Sequence, residues 1–134
     1  MPHLVILYTR HLDAETDMEL LCRRLCDAML GVRDEAGQQV FPTGGTRVLA
    51  YPAAHSAVAD GQRDYRFLYL NVRMAKGRSA AVHQAVGDAV VAAARAHLAP
   101  LFEQGYIGMT TQIDEGHEVF DAKHSTIHPL FQKS

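Results

Sequence analysis

The chain opens on an uninterrupted apolar run, Leu4 to Tyr8, too short for a helix and suited to a buried strand. The period then changes. Between Asp13 and Gly31, Met18, Leu21, Cys22, Leu25, Cys26 and Met29 recur three and four apart, which predicts an amphipathic helix. Thr16 followed by Glu19 reads as its capping box, and Gly31 as its stop. Residues 32–45 carry charges, Gly37, Pro42 and the Gly44-Gly45 pair, so they read as a loop. Thr46 to Tyr51 reads as a second strand, closed by Pro52.

Residues 53–64 have no apolar period and a turn at Asp60-Gly61. Tyr65 to Met74 then alternates, with Leu68, Leu70, Val72 and Met74 on one face and Phe67, Tyr69, Asn71 and Arg73 on the other. Ser79 is an N-cap for a long helix with Val82, Val86, Val90 and Ala93 in register, and Pro100 is expected to stop or kink it. Ile107 to Ile113 predicts a fourth strand; the tail from His117 has no firm period. The fold class is α+β (α/β): two β-α-β units in a four-stranded mixed sheet, both helices on one face. Residues 1–134 read as a single domain. The helix-free face, carrying Phe67 and Tyr69, holds more apolar surface than a small monomer leaves wet, which predicts association through the sheet.

Composition narrows the function classes. With 134 residues and 48% hydrophobic content, the chain can build a core without a disulfide or a structural metal. A net charge of -2 argues against the broad basic field of a nucleic-acid binder. No window approaches eighteen uninterrupted apolar residues, so no membrane span is expected. The first ten residues are not a signal peptide, and a cytoplasmic setting follows as the default. Cys22 and Cys26 fit neither a CxxC motif nor a zinc site, and are expected to fill a buried helix face.

Three features could carry chemistry. Pro2, once Met1 is removed, is a secondary amine whose reference pKa of about 7.7–8.0 falls toward neutrality beside cations, where a general base works best. The alternative reading is a proline tolerated ahead of a strand. Arg73, Lys76 and Arg78 cluster between a strand end and a helix start, where free backbone N–H groups and guanidinium forks attract anions. A solvated turn capped by Ser79 is the alternative. Arg47 opens the second strand and is a further candidate anion ligand. The eight histidines, including His117, His124 and His128 in the tail, show no metal-ligand pattern, so no metal is expected. His3 alternates to the other side of its strand from Pro2, and nothing resembles a hydrolase triad.

Ala59-Asp60-Gly61-Gln62-Arg63-Asp64-Tyr65, continuing through Phe67 to Gly77-Arg78-Ser79, resembles the 5-carboxymethyl-2-hydroxymuconate isomerase family of the tautomerase superfamily. Pro2-His3, Phe41-Pro42 with Gly45 and Arg47, and His128 with Leu130-Phe131 extend the resemblance over nearly the whole chain. It implies a tautomerase-like homotrimer with its sheets packed inside. It also implies a cofactor-free keto–enol isomerase acting on a dienol polycarboxylate from homoprotocatechuate breakdown. Pro2 would shuttle the proton, while Arg47 and Arg78 would bind carboxylates. Two departures stand out: a long loop at Arg33 to Val40, and Val-Leu-Ala-Tyr-Pro after Arg47, where a second basic residue and an aromatic are expected. A hydration or decarboxylation on the same scaffold, or a non-catalytic ligand-binding module, are the competing readings.

Overall fold

A computed structural model describes residues 2–132. The elements run β1 (His3–Thr9), a 3-10 turn (Arg10–Ala14), α1 (Met18–Leu30), a 3-10 turn (Thr43–Gly45), β2 (Arg47–Ala53), β3 (Tyr65–Met74), α2 (Ala80–Gln104), β4 (Tyr106–Glu115) and a last 3-10 turn (His128–Phe131). The strands lie in the order β2-β1-β3-β4. β1 is parallel to β2 and antiparallel to β3, and β3 is parallel to β4. A parallel pair cannot be closed by a hairpin, so each pair needs a crossover. α1 and α2 supply them.

Leu4, Ile6 and Tyr8 of β1, with Leu68, Leu70 and Val72 of β3, form the buried sheet face. Leu21, Leu25 and Met29 of α1 and Val86, Val90 and Leu98 of α2 cover it, all fully buried. Each such side chain contributes about 1.5–3 kcal/mol by leaving water. A one-residue slip of β1 would turn Leu4 and Ile6 outward, so this face also sets the strand register.

Three local expectations about element ends are corrected. Asp17, not Thr16, caps α1, its carboxylate accepting from Leu20 N–H at 2.9 Å. The Thr16 hydroxyl is instead 2.9 Å from His97 Nε2 on α2, whose Nδ1 lies 2.9 Å from Arg24. A guanidinium only donates, so Nδ1 accepts, Nε2–H donates to Thr16, and the ring is neutral. β2 does not end at Pro52 but continues to Ala53. As an edge strand it can carry a proline whose missing N–H leaves no gap in the ladder. α2 runs through Pro100 to Gln104, held by buried Leu98 on one side and by Leu101 against the core on the other.

Cys22 and Cys26 are only partly buried, because they flank the stripe formed by Leu21, Leu25 and Met29. α2 is long and apolar enough to cross a membrane, which the test of uninterrupted runs did not register. Its buried stripe, Val82, Val86, Val90, Ala94 and Leu98, lies within the hydrophobic core shared with the sheet.

Candidate active site

Pro2 is buried and immediately precedes β1, an inner strand of the sheet. Alternation puts it on the side of Leu4 and Ile6 and turns His3 to the open face. There His3 stands directly opposite Arg47 of β2 on one side and Arg73 of β3 on the other. Directly paired residues share a face, so one imidazole sits between two guanidinium side chains. Burial first, then the charges of Arg47 and Arg73, hold its pKa below the ordinary 6.5. The ring is therefore neutral at pH 7.

Around this row is a cavity of about 240 Å³ lined by His3, Arg47, Arg73, Glu118, Asp121 and Lys123, with Met74 and Ala75. Arg73 contacts the Glu118 carboxylate at 3.3 Å, and Lys123 pairs with Asp121. Both pairs are about half exposed, and ion pairs of that kind contribute little to stability. Among the described residues Arg47 is matched by no carboxylate; it donates to the Gly45 carbonyl at 3.1 Å. With His3 neutral, three cations face two anions and the cavity carries one unbalanced positive charge. It is suited to an anion. Arg47 also borders a groove of about 540 Å³ that reaches Cys26, Gly44 and Phe131.

Arg78 lies elsewhere. Gly77 turns the chain at φ +100°, a conformation an L side chain would strain, and Arg78 follows as an exposed residue. Its guanidinium donates to the Val40 carbonyl at 2.9 Å, and Ser79 donates to Glu35 at 3.0 Å. The long loop thus packs on the turn into α2. Neither Pro2 nor Arg78 lines the 240 Å³ cavity, whereas Arg47 does. The Ser79 cap is present, accepting from Val82 N–H at 3.2 Å.

The family model for 5-carboxymethyl-2-hydroxymuconate isomerase matches residues 2–131. The chain belongs to this family. It is therefore an isomerase, with a tautomerase-like fold. A crystal structure of a 5-carboxymethyl-2-hydroxymuconate delta-isomerase is 57% identical, with a TM-score of 0.96 over 100% of this chain and 95% of that one. A 5-carboxymethyl-2-hydroxymuconate isomerase from Deinococcus radiodurans R1 is 31% identical, with a TM-score of 0.86 over 98% of this chain and 95% of that one. The 5-carboxymethyl-2-hydroxymuconate Delta-isomerase of Escherichia coli is 25% identical over 98% of this chain and 100% of its own. A macrophage migration inhibitory factor-like protein from Entamoeba histolytica, 12% identical, shares the fold alone, with a TM-score of 0.55 over 92% of this chain and 96% of that one.

Sequence reasoning reached Arg47 and Arg73 separately but missed that His3 joins them. The signal is the register of three strands, which no local window contains. Glu118 and Lys123 were missed because the tail has no period.

Proposed function

We propose that this isomerase ketonises 5-carboxymethyl-2-hydroxymuconate or a similar unsaturated polycarboxylate, with Pro2 as the proton carrier and Arg47 and Arg78 as carboxylate ligands. The observation that carries the reading is the anion-suited Arg47–His3–Arg73 row at the end of β1, next in sequence to Pro2. Pro2 is buried, and burial disfavours an ammonium, so in this reading the amine rests neutral. It takes the proton of the dienol hydroxyl. The ammonium so formed returns a proton to a carbon farther along the conjugated chain, and the enzyme is regenerated. Guanidinium groups hold the carboxylates and the charge that develops on oxygen.

The apolar part of the open face extends from this row. Leu7 is 50% exposed, Leu49 46% and Tyr51 51%, and the register makes them neighbours of Val5 and Tyr69. A closed homotrimer with these faces inside is the assembly we assign to the protein in solution, in the cytoplasm.

The chemistry requires Met1 to be absent, because a Met1–Pro2 bond makes the nitrogen a tertiary amide without a basic lone pair. The test is to prepare the chain with and without Met1 and follow ketonisation of a 2-hydroxymuconate-type acid by its ultraviolet absorbance. The processed form is expected to turn over, while the Met1 form folds equally well and is nearly inactive. Equal rates would assign the proton transfer to another group.

A further inference from the structure

The strap between β4 and the last 3-10 turn behaves unlike the rest of the chain. It is fastened at its start, where Gly116 N–H donates to the Met74 carbonyl at 2.9 Å. It is fastened again where His128 lies against Gly44, so closely that a Cβ on Gly44 would stand 2.5 Å from His128 Cα. Residues 117–124 between these points are all exposed, with Val119 and Phe120 bare to water at 104% and 83%. Little packing holds this segment down. Yet it places Glu118, Asp121 and Lys123 over the cavity that His3, Arg47 and Arg73 line from below.

We propose that Arg73 is a further carboxylate-binding group, in the same cavity as Arg47, and that Glu118 occupies it as an internal stand-in which a dicarboxylate displaces. The inference deepens the proposed function and rests on its polycarboxylate substrate. Its geometry is independent of Pro2. Arg47 and Arg73 flank His3 from the strands on either side of β1 and line one cavity, so a single molecule can present a carboxylate to each. The neutral imidazole between them adds no further positive charge and offers a hydrogen bond to the ligand. Glu118 reaches Arg73 through one contact of 3.3 Å between half-exposed side chains, a pair that a better-placed carboxylate can replace. With Glu118 in place the cavity has room in its charge balance for one carboxylate; with Glu118 swung out, for two. A monocarboxylate therefore gains nothing from moving the strap, and a dicarboxylate does. Arg73 and Glu118 together would then set the enzyme's preference for substrates with an additional carboxylate.

The experiment is a titration by calorimetry of glutarate and of butyrate into the full chain, the Glu118→Gln and Arg73→Gln variants, and the double variant. Both side chains are half exposed, so folding is expected to persist, and a melting curve on each protein checks it. Glu118→Gln should bind glutarate about three- to tenfold more tightly and leave butyrate unchanged. Arg73→Gln should reduce glutarate to the affinity of butyrate, and adding Glu118→Gln to it should change nothing further. Equal tightening for both acids would reduce Glu118 to a background charge and overturn the proposal. So would unchanged glutarate affinity in Glu118→Gln, or no glutarate binding by the wild type at millimolar concentration. The readout involves no turnover. If the cycle holds but the processed enzyme fails to ketonise, the subsite stands and the substrate reading falls. Normal ketonisation with a flat cycle has the opposite meaning.

Discussion

Arg47→Ala isolates the guanidinium that has no carboxylate partner among the described residues. Within the protein it gives up one bond to the Gly45 carbonyl, so the folding cost is that of a single hydrogen bond, about 0.5–1.5 kcal/mol. Toward a bound carboxylate it gives up a charge-assisted contact of about 1.5–3 kcal/mol, which is roughly a 10- to 150-fold increase in KM. The turnover number should fall less, because the contact is made in both the ground and transition states. A second readout is internal. Arg47 is, after burial, the largest influence holding His3 below its ordinary pKa, so its loss should raise the His3 titration midpoint seen by NMR. Arg47→Lys separates the two effects: it keeps the charge and hence the low His3 midpoint, but lacks the planar fork and should still raise KM. The assay is steady-state ketonisation by Met1-free protein, paired with the histidine titration. A KM within twofold of wild type in Arg47→Ala would refute the binding role, and an unmoved His3 midpoint would refute the Arg47–His3 pairing itself.

Two further outcomes concern stability. His97 is held neutral between Arg24 and Thr16, with its pKa lowered chiefly by burial and then by Arg24. The unfolded chain thus binds that proton more readily. The contribution is complete above the unfolded value of about 6.5 and is lost as pH falls through the lower folded value. Urea unfolding of wild type and His97→Gln should show a smaller loss of stability below pH 6.5 in the variant, and parallel pH curves would remove His97 from the account. Gly44→Ala would drive a Cβ into the His128 backbone, so amide exchange at residues 127–131 should accelerate while the β1 and β3 amides stay protected. Unchanged protection of the 127–131 turn would contradict the close approach.

Elements whose signals are local could be read directly. β3 runs from Tyr65 to Met74 as its alternation predicts, and α2 begins after the Ser79 cap. Errors arose where a distant partner decides. Thr16 has the right spacing for a capping box, but its hydroxyl is taken by a histidine 81 residues away, and Asp17 caps instead. Pro52 looks like a strand end until β2 is known to be an edge. Pro100 looks like a helix end until Leu98 and Leu101 are known to pack on the core. The candidate site follows the same division. Arg47 and Arg78 stand in short motifs and are legible one by one, but their surroundings are not. Register puts Arg47 beside His3 on the open face, whereas a loop carbonyl from Val40 anchors Arg78. Periodicity predicts which face a side chain takes and says nothing of which strand lies next to it.

The open face changes character along β1. At its start the row is Arg47–His3–Arg73; two residues on it is Leu49–Val5–Asn71, and two further Tyr51–Leu7–Tyr69. At about 3.3 Å per residue, charge gives way to apolar surface within roughly 13 Å. The two ends make opposite demands on solvent. Tyr51 and Leu7 are stabilised by any neighbour that excludes water, while Arg47 and Arg73 need either water or an anion. In the trimer proposed above, covering the apolar end brings protein close to the charged end and lowers the effective dielectric there. An anion then binds the arginines more strongly than it would on a free monomer, and a neutral amine at Pro2 is favoured over its ammonium. Under the proposed reading, assembly and proton transfer are thus coupled through one strand. The residues that hold the copies together need not touch the substrate to set the strength of the groups that do.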